Sequence, residues 1–394
     1  MVRALAVAIF AAATVAPQCG SSSSGSSGPS GPVQNFQTIV VNAGPANDYI
    51  DGAFTTVTVC LPGQSSCQTI DGILVDTGST GLRVLSDRLS LQLPQQNDPT
   101  GAPVVECAPF ADGFTWGPVR TADIKMAGEQ ASNVPVQVIG GPGFPVIPQS
   151  CSSNGAPEQT LDALGANGIL GIGVFRQDCG SACTVSGSSN AGLYYSCPAS
   201  GCRIVPQPLA QQVQNPVALF ATDNNGVLIQ LPSVAPGGAP AVSGMIVFGI
   251  GTQADNALGA AKVLTLDGDG NFTTTYASQT IGSTYVDSGS NGIFFLDSAT
   301  TGLPICALST DFYCPATLQT LSATNRGLNG VSSAVTFTVG NVDALPASVT
   351  AAAEVAGPNP GGFAWGLPFF FSRSVFTAFE AASTPGGTGP YVAY

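Results

Sequence analysis

Ile73-Leu74-Val75-Asp76-Thr77-Gly78-Ser79-Thr80-Gly81-Leu82 is an apolar run that delivers an acid into a tight turn. The chain repeats the device 211 residues later, at Tyr285-Val286-Asp287-Ser288-Gly289-Ser290-Asn291-Gly292-Ile293. In both copies a glycine relaxes the turn and small hydroxyl residues flank the acid. One copy says little, because Asp and Gly end many strands. Two copies in matching surroundings are a different matter. After the first comes Asn167-Gly168-Ile169-Leu170-Gly171-Ile172-Gly173, and after the second Phe363-Ala364-Trp365-Gly366-Leu367-Pro368-Phe369. Each half therefore reads apolar-apolar-Asp-Thr/Ser-Gly-Ser, then apolar-apolar-Gly.

At 394 residues the chain is long enough for two cores or one large one. Charged residues are 8%, far below the roughly 25% usual in soluble domains, and Gly (49) and Pro (30) are abundant. Many turns between short strands, as in an all-β protein, follow from that balance. The net charge of −13, with Lys125 and Lys262 the only lysines, excludes a nucleic-acid partner, whose binding needs clustered cations. Histidine is absent, which removes Ser-His and Cys-His nucleophile pairs, His-ligated zinc and imidazole acid–base chemistry. Any hydrolysis here needs carboxylates for its proton transfers, with no metal and no cofactor.

The duplicated pattern resembles the pepsin-like aspartic proteases, in which both elements occur once per lobe and the later Gly strand crosses behind the Asp loop. Ser243-Gly244-Met245-Ile246-Val247-Phe248-Gly249-Ile250-Gly251 is similar to the end of that family's first lobe. The run Trp365-Gly366-Leu367-Pro368-Phe369-Phe370-Phe371, continuing to Val375-Phe376-Thr377-Ala378-Phe379-Glu380, is similar to its closing strands. The likeness covers roughly residues 45 to 382, and more narrowly the chain resembles a bacterial exported family of unknown function with the same layout. It implies an all-β, two-lobed fold with pseudo-twofold symmetry and a central cleft. The lobes would span 45–256 and 257–394, after a leader (1–19) and a Gly/Ser/Pro-rich linker (20–44).

The resemblance also implies the chemistry. Asp76 and Asp287 would share one proton and serve as base and acid in peptide hydrolysis. Thr77 and Ser288 would brace the two loops, Ser79 and Ser290 would donate to the outer carboxylate oxygens, and Gly78 and Gly289 would admit backbone N–H groups. Glu106–Phe110 and Phe114–Val119, flanking Ala111-Asp112-Gly113, read as a hairpin where the family carries its flap. The flap tyrosine is absent. Phe110, Asp112, Gly113 and Trp116 are the candidate residues over substrate, with the Trp116 indole N–H a possible replacement for the phenol; the alternative is an ordinary aromatic surface hairpin. Arg83 stands where the family commonly has Trp.

Arg3 and the run Ala4–Ala16 read as an export signal too short to span a bilayer comfortably. Cys19, followed by Gly20-Ser21-Ser22-Ser23-Ser24, resembles a lipidated bacterial N-terminus, although Gln18 replaces the small residue expected before it; free secretion is the alternative. The eleven cysteines fit disulfides in an oxidising compartment, with Cys60–Cys67 and Cys306–Cys314 as local bridges and Cys19 left over. The four cysteines within 174–206 read as a pinned surface insertion. Leu266-Asp267-Gly268-Asp269-Gly270-Asn271 lacks the Gly and acid that a calcium loop needs at Phe272 and Ser278, so it reads as a turn. Ala351-Ala352-Ala353 is a candidate helical turn, and 383–394 a mobile tail. Three functions remain open: a monomeric exported acid endopeptidase acting on peptide or protein substrates, an inactive pepsin-fold peptide-binding or inhibitor-sensing protein at the cell envelope, and a structural surface protein with no cleft function.

Overall fold

Short β-branched and aromatic runs, broken by Gly- and Pro-rich turns, form strands along nearly the whole of residues 34–394, the part that the computed structural model describes. The leader, Cys19 and the first part of the expected linker lie outside the described residues. The first half contributes β1 (Phe36–Asn42), β2 (Gly52–Cys60), β3 (Cys67–Asp76), β4 (Thr80–Leu85), β5 (Val104–Pro109), β6 (Gly113–Met126) and β7 (Glu129–Ile139). It continues with β8 (Ala156–Pro157), β9 (Gly168–Ile172), β10 (Tyr194–Ser196), β11 (Arg203–Ile204), β12 (Gly226–Leu231) and β13 (Val242–Phe248). The second half adds β14 (Val263–Thr265), β15 (Phe272–Tyr276), β16 (Gln279–Val286), β17 (Ile293–Leu296), β18 (Gln319–Arg326) and β19 (Ser332–Val339). Then come β20 (Ala356–Gly357), β21 (Asn359–Trp365), β22 (Arg373–Ala378), β23 (Ser383–Thr384), β24 (Gly387–Thr388) and β25 (Tyr391–Ala393).

The fold is all-β and two-lobed, built on two large sheets. One runs β11-β10-β5-β6-β7-β4-β9-β3-β2-β1-β13-β12-β22-β25-β14, with β8 attached to β6; the other runs β19-β18-β15-β16-β21-β17-β20. Three strands from beyond residue 257 (β14, β22 and β25) join the first sheet, so the sheets do not divide at 256/257.

The second sheet shows how the pattern positions its acid. β19 alternates exposed and buried residues, so Val335, Phe337 and Val339 point inward. They meet Phe295, Phe363 and Trp365, the Phe295 and Phe363 rings stacked at 5.1 Å and those of Phe363 and Trp365 at 4.4 Å. Each such buried aromatic contributes roughly 1.5–3 kcal/mol by area alone. This core fixes β21, the strand that lies beside β16 and its acid.

Four expectations need correcting. β1 occupies 36–42, inside the stretch read as linker, because its alternate residues Ile39 and Val41 are wholly buried and it pairs with β13 and β2. The 174–206 insertion is not a mere excursion: β10 pairs with β5 and extends the hairpin sheet, burying Tyr194 and Tyr195. Ala351 forms a β-bridge with Ala239 and no helical turn occurs there. The end of the chain is a packed strand, since β25 pairs with both β14 and β22.

Five disulfides join Cys60–Cys67, Cys107–Cys151, Cys179–Cys183, Cys197–Cys202 and Cys306–Cys314. The two expected local bridges are among them. Cys107–Cys151 ties the hairpin strand β5 to a short helix, α1 (Gln149–Ser152). Five bridges fit an exported protein in an oxidising compartment. The 266–271 segment is a turn, in which Asp267 accepts from the Asp269 and Asn271 backbone N–H groups.

Candidate active site

Each acid sits where an incoming strand ends beside a later strand that runs parallel to it. β3 pairs parallel with β9, setting Asp76 opposite Gly171, while β4 leaves antiparallel to β9. In the second half β16 pairs parallel with β21, and β17 leaves antiparallel to β21. The crossing strand must pass close behind the loop, and this explains its glycine. A Cβ on Gly171 would lie 2.6 Å from the Thr80 nitrogen, and one on Gly366 would lie 2.0 Å from the Gly292 carbonyl oxygen.

Four reciprocal hydrogen bonds lock the two loops together. The Thr77 N–H donates to Ser288 Oγ (3.1 Å), and the Ser288 N–H donates to Thr77 Oγ1 (2.9 Å). The hydroxyls then donate across: Thr77 to the Val286 carbonyl (3.3 Å) and Ser288 to the Val75 carbonyl (2.7 Å). Both side chains are buried, so all four bonds are shielded from water.

The carboxyls are held by matching sets of donors. The Gly78 N–H donates to Asp76 Oδ1 (2.7 Å) and the Gly289 N–H to Asp287 Oδ1 (2.8 Å). Ser79 Oγ donates to Asp76 Oδ2, and Ser290 Oγ to Asp287 Oδ2 (2.6 Å). The two carboxyls are near enough to act on each other's charge. Each also presses on the opposite loop: a Cβ on Gly78 would lie 2.5 Å from Asp287 Cγ, and one on Gly289 would lie 2.6 Å from Asp76 Oδ1. Burial first, then the charge of Asp287, pushes the Asp76 carboxyl up to about 8, against the pull of its Ser79 and Gly78 bonds. Raised in this way, Asp76 keeps its proton over a wide acid range beside the second carboxyl. Such a pair can give and take protons on opposite sides of a bound reactant.

The expected hairpin is β5–β6, closed at its tip by the Phe110 N–H donating to the Gly113 carbonyl (2.8 Å). Phe110 is half-buried against the cluster of Phe54, Leu74, Leu85 and Ile139, and Asp112 is exposed at the tip. Gly113 lies against β8, where a Cβ would come within 2.4 Å of the Ala156 carbonyl oxygen. Trp116 is 1% exposed, and its indole N–H donates to the Phe144 carbonyl (3.0 Å). Its ring packs edge-on against Tyr195. The indole therefore does not replace a flap phenol; its N–H is already satisfied inside the hairpin's own core.

Two groups escaped the sequence reading, and a third, Arg83, was read only as a departure without its partners. Glu158 follows β8 near Asp112 at the hairpin tip; burial, then that neighbouring charge, pushes it up to about 8. The Tyr49 phenol is raised by burial and by Asp112, Asp76, Asp287 and Glu158, which places it among these acids. Arg83 forms buried ion pairs with Glu106 and Asp178. All are isolated residues joined only by tertiary contact, and no local spacing announces them.

The family described as "Protein of unknown function (DUF3443)" matches residues 31–394. The chain belongs to it. Comparison with curated proteins finds no match. Among solved structures, an aspartic proteinase from Irpex lacteus superposes with a TM-score of 0.53 at 15% identity, covering 91% of this chain and 96% of that one. At that identity the likeness speaks to the fold alone, which is pepsin-like.

Proposed function

We propose that this member of the family is an exported acid endopeptidase that cleaves extended peptides through Asp76 and Asp287. The observation that carries the reading is the pair itself: two neighbouring carboxyls, each held by one backbone N–H and one serine hydroxyl. One carboxylate takes a proton from water as the water oxygen attacks the peptide carbonyl carbon, and the partner carboxyl gives its proton to the carbonyl oxygen. The tetrahedral diol then collapses as the C–N bond breaks and a proton passes to the departing nitrogen. The Phe110 hairpin would cover the substrate and exclude water. The substrate is a peptide or protein and the enzyme acts as a monomer, without metal, cofactor or nucleic acid. A lipid tether at Cys19 belongs to the same reading and is checked by the mass of the N-terminal peptide.

A second reading, a peptide-binding protein without turnover, draws support from the hairpin, which offers no tyrosine at its tip and turns Trp116 inward. Digestion of a mixed peptide library between about pH 3 and 7, the range in which a shared carboxyl proton persists, separates the two. Wild-type protein is expected to cleave and to be stopped by a pepstatin-type inhibitor. Asp76→Asn and Asp287→Asn should each lower cleavage by about 10²–10⁴-fold or more, the usual contribution of a positioned acid or base, with the fold intact. No cleavage by wild type at any pH, together with equal peptide affinity in both variants, makes the chain a binder.

A further inference from the structure

We propose that the buried cluster of Arg83, Glu106, Asp178 and Tyr194 positions the β5–β6 hairpin over the acid pair, and that it does so only while Asp178 is neutral. The proposal rests on the peptidase reading for its biological meaning, since it concerns regulation of the same cleft, but its test needs no cleavage.

Arg83 lies on β4, the strand leaving the Asp76 loop, and its Nη1 donates back to the Thr80 carbonyl (2.6 Å). Its Nη2 donates both to Glu106 Oε1 (2.6 Å) and to Asp178 Oδ2 (3.1 Å). Glu106 belongs to β5, at the base of the hairpin, and Asp178 to the insertion. Tyr194, directly opposite Glu106 in the β10–β5 ladder, donates its hydroxyl to Asp178 Oδ1 (2.6 Å) and accepts from the Val213 N–H (2.7 Å). The guanidinium carbon also lies 5.8 Å from the centre of the Phe110 ring. One side chain thus touches the exit of the acid loop, the hairpin's base, its tip and the insertion.

The charges do not balance. Two carboxyls face one guanidinium, with side-chain exposures of 3% for Arg83, 0% for Glu106 and 4% for Asp178. Glu106 Oε2 is buried without a partner. A surplus buried anion is costly, and a proton on Asp178 removes it. Burial, then Glu106, holds Asp178 well above the usual carboxylate range, against the opposing pull of Arg83 and Tyr194. Burial and both acids likewise keep the Tyr194 phenol neutral. From the neighbouring strands β6 and β7 come only neutral groups: Thr115, and Gln137, whose amide donates to the Glu106 carbonyl. A folded-state value raised above the unfolded one gives a contribution complete below about pH 4 and lost as the pH rises through the raised value. The hairpin is therefore ordered in acid and loosened toward neutrality.

Hydrogen exchange read by mass spectrometry on the intact protein at pH 4 and pH 7, corrected for chemical exchange, tests this. Protection of 104–118 in wild type should fall, relative to 319–339, by at least about tenfold, the change that one unit of pKa displacement produces. Glu158, beside Asp112 at the hairpin tip, titrates in the same window, so the comparison is read at 104–107 and 116–118. There Asp178→Asn, neutral at every pH, should remove most of that selective fall, and Glu106→Gln serves the same purpose if Asp178→Asn does not fold. A wild-type hairpin that exchanges in step with 319–339 at both pH values overturns the proposal. So does an Asp178→Asn protein with the wild-type pH response. Neither outcome bears on whether Asp76 and Asp287 cleave peptides.

Discussion

Asp76-Thr77-Gly78-Ser79 and Asp287-Ser288-Gly289-Ser290 make the same set of hydrogen bonds, yet seven residues past each acid the chain places Arg83 in one half and Phe294 in the other. Arg83 is buried among carboxyls and a phenol. Phe294 is half-buried and packs on Phe312 at 5.8 Å. Behind the first loop runs the aliphatic strand Gly168–Ile172, with no aromatic residue; behind the second stand the packed rings of Phe295, Phe363 and Trp365. Backbone crossing makes the carboxyl pair symmetric, so the two halves were free to build unlike surroundings. The hairpin belongs to the first half, where Arg83, Glu106 and Asp178 gather buried charge beside the acid loop.

The largest effect that probes this likeness comes from the crossing glycines. Gly171→Ala and Gly366→Ala each push a methyl into backbone, at 2.6 Å and 2.0 Å respectively, where no flexible side chain can yield. Each should destabilise by about 1–3 kcal/mol or more, read from the urea midpoint, with Gly366→Ala the worse. Equal and small losses would show that the crossing is looser than its geometry, and that the symmetry rests on the hydroxyl bonds alone.

The acid pair supplies the next test. Asp76 is pushed up to about 8 in the folded protein, above its unfolded value near 4. Its protonated form is thus favoured by folding, and the stability it contributes is whole below about pH 4 and lost as the pH rises toward about 8. One such group sets a slope of at most about 1.4 kcal/mol per pH unit. Asp287→Asn removes the neighbouring charge, so the slope between pH 4 and 8 should become shallower. An unchanged slope would assign the pH dependence to Asp178 or the other buried acids instead.

The likeness between the halves was legible in the sequence because it depends on local necessities. An acid at a strand end, a glycine where backbone meets backbone and a hydroxyl that spans two loops all leave short, repeated marks. The unlikeness was much less so. Arg83 was visible as a departure, but its partners Glu106 and Asp178 lie 23 and 95 residues away, and nothing in their neighbours links them. Trp116 was misread because alternation tells which face a residue takes, while the acceptor for its indole comes from Phe144 in a loop. The chain end was misread for a related reason. Gly386-Gly387 and Pro390 resemble a loose tail, whereas Tyr391–Ala393 is buried by strands that come from elsewhere in the chain.

That end supplies the smallest and most local test of the difference between halves. Asn325, wholly buried in the second sheet, accepts from the Trp365 indole (3.1 Å) and the Thr274 hydroxyl (2.7 Å) through Oδ1. Its Nδ2 donates to the hydroxyl of the last residue, Tyr394 (2.8 Å). Trp365 directly precedes Gly366, the glycine behind the second acid loop, so the chain end steadies that loop through two side chains. The first loop has the Arg83 cluster nearby instead. Tyr394→Phe keeps the ring packed edge-on against Phe369 at 4.9 Å and removes only the acceptor. Leaving an amide donor unpaired should cost about 1 kcal/mol in urea unfolding. Because the loss falls on the second half alone, exchange of amides in 359–366 should rise while that in 168–172 stays unchanged. A rise in both would mean that the two loops share their support, and the contrast between the halves would then be one of composition only.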